Sequence, residues 1–373
     1  MKLHKILLLS FMAFICVSYS QLGFALQDCK YYQQRFYKHW NCDVPEQKAL
    51  IMQLETLVNN HPEKGIVAFD WDGTLYDEHI QNPAPILPTD KMRGGQSLWH
   101  IWGALNLNKY PFVFPLFASS CSKEEEKADI IKQDAYLEGK LFQLLDSNPT
   151  PLLPKAYDKF TQIAKFEAGM TLKQMQVGMN GFLTSYPPKK YAFKKMFDIV
   201  QRFQDGGFVV WIVSGSNPYY MSNTMVSKNG INKTMNYHLY PHCDPAHRLT
   251  DSCYIAGNGA RVNALWNIFT TVYDDRFVRS QLATGQVSII DGYGKQLVLQ
   301  DLLRRFPGMR VLLYAGNSDG DSCAMQYTLH DKSSAQDPIG LFIQPNLSKS
   351  TKFLDIYNNC KSTGRCFDIE TPN

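Results

Sequence analysis

Gly65-Ile66-Val67-Ala68-Phe69-Asp70-Trp71-Asp72-Gly73-Thr74 is the stretch on which the reading of this chain turns. Five small or apolar residues run into two carboxylates one residue apart, followed by Gly and Thr. A run of this kind, without polar alternation, fits a strand buried on both faces, as in a parallel sheet. Asp70 then stands at the carboxyl end of the strand, where open α/β sheets receive their ligands. Asp72-Gly73 also fits the two-residue turn of a β-hairpin. The stretch alone leaves both readings open.

The flanking sequence separates them. Upstream, Val44 to Asn60 carries Leu50, Ile51, Leu54, Leu57 and Val58 at helical spacing, and His61-Pro62 ends that helix. Downstream, Pro83, Pro85 and Pro88 open a segment that Pro187-Pro188 closes. Between them lie helical patterns at Glu124 to Leu145 and Pro154 to Phe166, with no buried strand run. Strand and helix signals then alternate. A helix over Tyr191 to Gln204 is stopped by Asp205-Gly206-Gly207, and a strand over Phe208 to Val213 runs into Ser214-Gly215-Ser216. Pro218 falls in the first turn of the next helix. Strand signals follow at Tyr254 to Ile255, Ile268 to Tyr273 and Gln286 to Ile290, with Gly257, Gly259 and Gly285 as turns. Lys295 precedes a helix over Gln296 to Phe306, and a strand over Arg310 to Tyr314 ends in Ala315-Gly316-Asn317-Ser318-Asp319-Gly320-Asp321. A helix to about Leu329 and a last strand near Ile339 to Ile343 close the pattern. This alternation predicts an α/β fold, a doubly wound, Rossmann-like parallel sheet. Its core is expected over 61–80 and 190–373, with an N-terminal arm and helix over 21–60 and a mostly helical cap over 81–189.

Residues 1–20 read as an export signal. Lys2 and Lys5 precede an apolar run from Ile6 to Val17, too short to span a bilayer comfortably, and Ser18-Tyr19-Ser20 offers a cleavage site. The expectation is a periplasmic or secreted protein without stable membrane association once the signal is cut. Removing that segment leaves 36 basic against 34 acidic residues, a balance that gives no argument for nucleic acid or an anionic membrane as partner. Eight of nine Cys remain, an even number that favours disulfides in an exported chain. Proximity in sequence suggests Cys29–Cys42, Cys243–Cys253 and Cys360–Cys366, leaving Cys121 and Cys323. His238, His242, Cys243, His247 and Cys253 match no zinc spacing well.

The polar residues at the strand ends complement one another chemically. A carboxylate can attack phosphorus and form an aspartyl-phosphate. Charge repulsion opposes that attack unless a divalent cation bridges nucleophile and phosphate, and Mg²⁺ suits a site with few protein oxygens. Asp70 is the candidate nucleophile and a metal ligand, with Asp319 or Asp321 near it. Asp72 is the candidate general acid and base. Ser214, Gly215, Lys295 and Thr74 are candidate ligands for the phosphoryl oxygens. Each has an ordinary structural meaning too: Ser214-Gly215-Ser216 as a turn and helix cap, Lys295 as a surface lysine, Asp319 and Asp321 as acids at a helix start.

Taken in order, Asp70-Trp71-Asp72-Gly73-Thr74, the strand ending in Ser214, Lys295, and Gly316-Asn317-Ser318-Asp319-Gly320-Asp321 resemble the haloacid dehalogenase-like superfamily of phosphohydrolases. The helical insertion after the first motif resembles the phosphoserine-phosphatase-like branch, and the export signal resembles its exported acid phosphatases and phosphorylcholine phosphatases. The resemblance implies Asp70 as nucleophile, Asp72 as acid and base whose backbone carbonyl binds Mg²⁺, and a metal site completed by Asn317 or Asp321. Many members carry Asp where Asn317 stands here. The expected partner is a small phosphomonoester, with phosphorylcholine a candidate because Trp71, Trp99 and Trp102 can face a quaternary ammonium. In that branch an acid shortly after the first motif meets the substrate amine, which makes Asp77 and Glu78 candidates. A phosphoester-binding protein without turnover, and a phosphotransferase to an alcohol, are the alternatives.

Overall fold

Strand β1, Ile66–Phe69, lies at the centre of the sheet, with parallel neighbours on both sides. The computed structural model describes residues 27–60, 65–77, 99, 102–103, 106, 109–110, 172–226, 231, 237–239, 253–257, 260–263, 268–271, 290–330, 338–344 and 351–370. Two units divide the chain, 1–60 and 61–373. The candidate export signal, Glu78, Cys121, Cys243 and the helical patterns over 124–145 and 154–166 lie outside the described residues.

In the first unit, helix α1 is Cys29–Arg35 and α2 is Pro45–Asn60. Leu50, Ile51, Leu54, Leu57 and Val58 form the buried face that their spacing predicts. The stretch before α2 is more than a surface arm, because Tyr32, Tyr37 and Trp40 are buried. Asp28 accepts the Tyr31 amide at 2.8 Å and so caps α1, and Cys29–Cys42 closes the connection. The buried Glu55 is satisfied by the Tyr37 hydroxyl at 2.9 Å.

In the second unit, β1 is followed by α3 (Leu172–Ser185), α4 (Pro188–Tyr191), α5 (Lys194–Asp205), β2 (Val209–Ser214) and α6 (Pro218–Val226). Short strands β3 (Tyr237–Leu239), β4 (Cys253–Gly257), β5 (Ala260–Asn263) and β6 (Ile268–Thr271) come next. The chain continues through α7 (Tyr293–Arg305), β7 (Val311–Gly316), α8 (Ser322–His330), β8 (Ile339–Ile343), α9 (Thr351–Cys360) and β9 (Cys366–Ile369). Seven strands form one sheet in the order β3-β4-β2-β1-β7-β8-β9, every pairing parallel. β5 and β6 form a separate antiparallel pair. The chain winds outward from β1 through β2 and β4, then returns to β7 on the other side of β1. That reversal puts the topological switch point, where open α/β sheets receive their ligands, beside the end of β1. The fold is the doubly wound α/β architecture that the alternation predicts, and β1 is a central parallel strand rather than one arm of a hairpin.

Strands β1, β2, β7 and β8 are buried on both faces. Ile66 and Ala68 join Trp211, Val213, Tyr314 and Phe342 in a cluster with Val298 and Leu302 of α7, Met325 of α8 and Phe353 of α9. Val67 and Phe69, equally buried, face the opposite way by strand alternation. Three details differ from the sequence expectation. The helix expected over 191–204 is broken at Ala192-Phe193, where the Phe193 amide donates to Leu75 O at 2.9 Å and the Asp77 amide to Tyr191 O at 2.9 Å. Those bonds join the two points at which the chain leaves and re-enters the sheet region. Gly257 is the last residue of β4 rather than a turn. Ile339–Ile343 is not the last strand, since β9 pairs beyond it and the Cys360–Cys366 disulfide ties β9 to α9.

Candidate active site

Three strand ends converge. Asp70 directly follows β1, its amide bonded to Ala315 O of β7 at 2.9 Å. The chain then closes a tight turn, with the Gly73 amide donating to Tyr76 O at 2.8 Å. Gly73 has φ 70°, a left-handed conformation that a side chain would strain. Ser214 ends β2, and Gly316 ends β7.

Lys295 links two of these ends. It lies inside the first turn of α7 rather than before it, and is almost fully buried. Its Nζ stands 2.8 Å from Asp70 Oδ1 and 2.7 Å from Asp321 Oδ1. Burial works against the Lys295 charge, but Asp321, Asp70 and Asp291 outweigh it and hold its pKa above that of an ordinary lysine. For Asp70 the balance is reversed. Burial is the largest effect and Asp321 the next, together raising its pKa well above the usual carboxylate range against the opposing pull of Lys295. Asp70 therefore stands where the charged form of a carboxylate is disfavoured.

Asp321 is saturated by protein donors. Its Oδ1 accepts from Lys295 and from the Tyr314 hydroxyl at 2.8 Å, and its Oδ2 from the Asn317 amide at 3.0 Å and the Ser318 amide at 3.2 Å. Ser318 Oγ adds a longer bond at 3.4 Å. A carboxylate offers about four lone-pair directions, so these donors fill it. The close wrapping requires Gly316, where a Cβ would come within 2.4 Å of Asp321 Cγ. Asp319 faces elsewhere: its Oδ1 accepts the Phe353 amide at 3.1 Å, satisfying an open donor in the first turn of α9.

On the β2 side, Ser214 Oγ accepts the Ser216 amide at 3.2 Å, and Ser216 Oγ donates to Asp72 Oδ2. Asp70, Asp72, Ser214, Lys295 and Asp321 are thus brought into one site, with Asn317 at its edge on the β7 loop. The buried Thr74 belongs to the turn after Asp72. Ser216 and Tyr314 join the site without having been read from the sequence. Tyr314 looked like strand interior, and no local spacing marks Ser216 as a partner of a residue 144 positions away.

An aromatic array adjoins the turn. Trp71 stacks on Tyr76 at 5.6 Å with an 8° interplanar angle, and Tyr76 meets Tyr191. Tyr186 and Phe182 continue it to Trp99 and Trp102, which stack at 5.7 Å. Trp71 and Trp99 are fully buried and Trp102 nearly so, each packed among other rings. Asp77, half-buried, follows this turn.

No protein-family model and no curated relative matches the chain. Among solved structures it is similar to a protein of unknown function from Bordetella pertussis Tohama I, at 11% identity and a TM-score of 0.42, over 82% of this chain and 99% of that one. It is also similar to cytosolic 5'-nucleotidase IIIB, solved with cytidine bound, at 12% identity and a TM-score of 0.39, over 91% of this chain and 98% of that one. At these values neither likeness bears on what the chain does, and the fold assignment rests on the sheet itself.

Proposed function

We propose that this chain is an exported, Mg²⁺-dependent phosphomonoester hydrolase of the haloacid dehalogenase-like kind. The observation that carries the reading is the buried Lys295 between Asp70 and Asp321 at the meeting of three strand ends, with Ser214 beside them. An Asp70 oxygen attacks phosphorus while the bond to the ester oxygen breaks, leaving an aspartyl-phosphate. Asp72 gives its proton to the departing alkoxide. It then takes a proton from water as the water oxygen attacks phosphorus and the Asp70–phosphorus bond breaks. The Ser214 hydroxyl and Gly215 amide donate to the phosphoryl oxygens, with Thr74 as a further donor. Lys295, ion-paired with Asp70 and donating to Asp321, brings its charge to the phosphoryl oxygens.

The residues fit a divalent cation by charge. Asp70, Asp72 and Asp321 face a single lysine, and the surplus is negative and largely buried. Among the described residues no group of three or more His, Cys, Asp or Glu forms a cage. Mg²⁺ is the ion we propose because it binds through few protein oxygens, keeping waters and a phosphate oxygen as its other ligands. The Asp70 carboxylate, the Asp72 backbone carbonyl and the Asn317 amide oxygen would hold it, with the saturated Asp321 contributing charge. Bound there, the ion supplies the positive charge that lets a carboxylate approach a phosphate dianion.

The substrate we propose is a small phosphomonoester, phosphorylcholine first. Asp77, half-buried directly after the Trp71–Tyr76 stack, is the acidic group that would meet a cationic head. Trp71, Tyr76 and Trp99 are fully buried against other rings and, contrary to the sequence expectation, present no open face as a cage. Export is supported by the pattern of residues 1–20 and by two disulfides, which suit an oxidising compartment. Among the described residues no helix is long and apolar enough to cross a membrane.

The neutral Asn317 favours a second reading, phosphoester binding without turnover. One assay separates them: phosphate release from an aryl phosphate, phosphorylcholine, phosphoserine and sugar phosphates, with and without chelator. Release is expected to stop with chelator and to fall by a factor on the order of a thousand or more in Asp70→Asn. Activity that survives Asp70→Asn refutes the mechanism. Thermal stabilisation by a phosphoester with no phosphate released favours the binding reading, and phosphoryl capture by an added alcohol identifies a transferase.

A further inference from the structure

We infer that Ser216 is a positioning residue that couples the proton-transfer carboxylate to the phosphate-binding loop. The inference rests on the phosphohydrolase reading above and deepens it. Ser216 follows Ser214 by two residues, is 5% exposed, and makes two contacts of different kinds. Its hydroxyl donates to Asp72 Oδ2, across from the β1 loop to the β2 loop. Its amide donates to Ser214 Oγ at 3.2 Å. A hydroxyl oxygen that accepts a hydrogen bond on one side must direct its own hydrogen elsewhere. The amide of Ser216 therefore turns the Ser214 proton away from the loop, in the sense needed to meet a phosphoryl oxygen. The hydroxyl of Ser216 holds Asp72 in one rotamer, so that its proton reaches the leaving oxygen of an ester lodged on Ser214.

The ordinary role for a serine here is a cap for α6, and the structure gives that role to its neighbour. Asn217 Oδ1 accepts the Tyr220 amide at 3.3 Å, and the Met221 amide donates to Asn217 O at 3.0 Å. The Ser216 hydroxyl is thus directed at Asp72 rather than at the helix start. Asp72 and Ser214 come from separate strands, and a bond between their loops fixes the distance between proton donor and phosphate. Small errors in that distance are costly in rate.

The test is the leaving-group dependence of Ser216→Ala. Proton donation matters for an alkoxide leaving group and little for a stabilised aryl oxide. Phosphate release from phosphorylcholine, an alkyl ester, is expected to fall about ten- to a hundredfold relative to release from p-nitrophenyl phosphate. Ser216→Thr, which keeps the hydroxyl, is expected to restore most of that ratio. On an Asp72→Asn background Ser216→Ala is expected to add nothing further, because the two act as one unit. Calorimetry with inorganic phosphate controls for damage to the phosphate site. Equal loss on both esters, or additive loss on the Asp72→Asn background, overturns the inference while leaving the hydrolase reading intact. A wild-type protein that releases no phosphate from either ester refutes the hydrolase reading, and the inference with it.

Discussion

Asp70, the proposed nucleophile, is where the proposed chemistry and stability oppose each other most directly. Its carboxylate is buried beside Asp321, and both effects raise its pKa, with Lys295 only partly offsetting them. A group whose folded pKa lies above its unfolded value adds stability that is complete below the unfolded pKa. That contribution is lost as pH rises through the folded pKa. Between the unfolded pKa and neutral pH the raised pKa of Asp70 therefore costs stability that Asp70→Asn does not lose. The variant is expected to melt above wild type at pH 7 without added metal, the difference shrinking toward pH 4, and thermal scans at both values check it. A variant less stable than wild type at pH 7 would show that the Lys295 bond outweighs burial. Asp70, Asp72, Ser214, Lys295 and Asp321, which the fold brings together, stood out in the sequence as candidates because each ends or follows a strand run or keeps its place in a motif order. Ser216 and Tyr314 were not, since each acts through a hydrogen bond that only the folded chain creates.

Elements with a strong pattern were read well, and those with a weak one were not. β1, β2, β7 and β8 are unbroken apolar runs buried on every residue, and that is why they stood out. β9, Cys-Phe-Asp-Ile, is buried only at its two end residues and lies at the sheet edge, where one side of the strand is left without a neighbour. It could not be told from a tail by composition. The break between α4 and α5 was equally invisible, because its cause is pairing with Leu75 and Asp77 from far upstream. An edge strand of four residues has little of its own to hold it, and the Cys360–Cys366 disulfide closes a short loop onto it from α9. The paired substitution Cys360→Ser with Cys366→Ser is expected to lower unfolding free energy by about 2 kcal/mol, the loop-entropy value for so short a closure. Denaturant titration measures it, and a loss confined to β9 would appear as faster amide exchange there with the central strands unchanged.

At the scale of the whole molecule, the sheet order sets where charge accumulates. Winding one way from β1 and then back to β7 brings the Asp70, Ser214 and Gly316 loops to one end of three adjacent strands. The carboxylates gathered there exceed the single lysine, so on the proposed reading a bound divalent cation stabilises the fold as well as serving the chemistry. Mg²⁺ at a hundred times its dissociation constant would add about 2.7 kcal/mol. Which residue of the β7 loop receives it follows from what the others already do. Asp321 is filled by Lys295, Tyr314, Asn317 and Ser318, and Asp319 is engaged with the start of α9. Asn317→Ala is therefore expected to abolish the Mg²⁺-induced rise in melting temperature while leaving the metal-free melting point close to wild type. Asp319→Ala is expected to do the reverse, keeping the Mg²⁺ shift but lowering the metal-free stability by about 1 kcal/mol through the lost helix-start bond. Thermal scans of both variants across a Mg²⁺ series give the two quantities separately. If Asp319→Ala instead erases the shift and Asn317→Ala keeps it, the cation belongs on Asp319, and that carboxylate must turn away from Phe353 to take it.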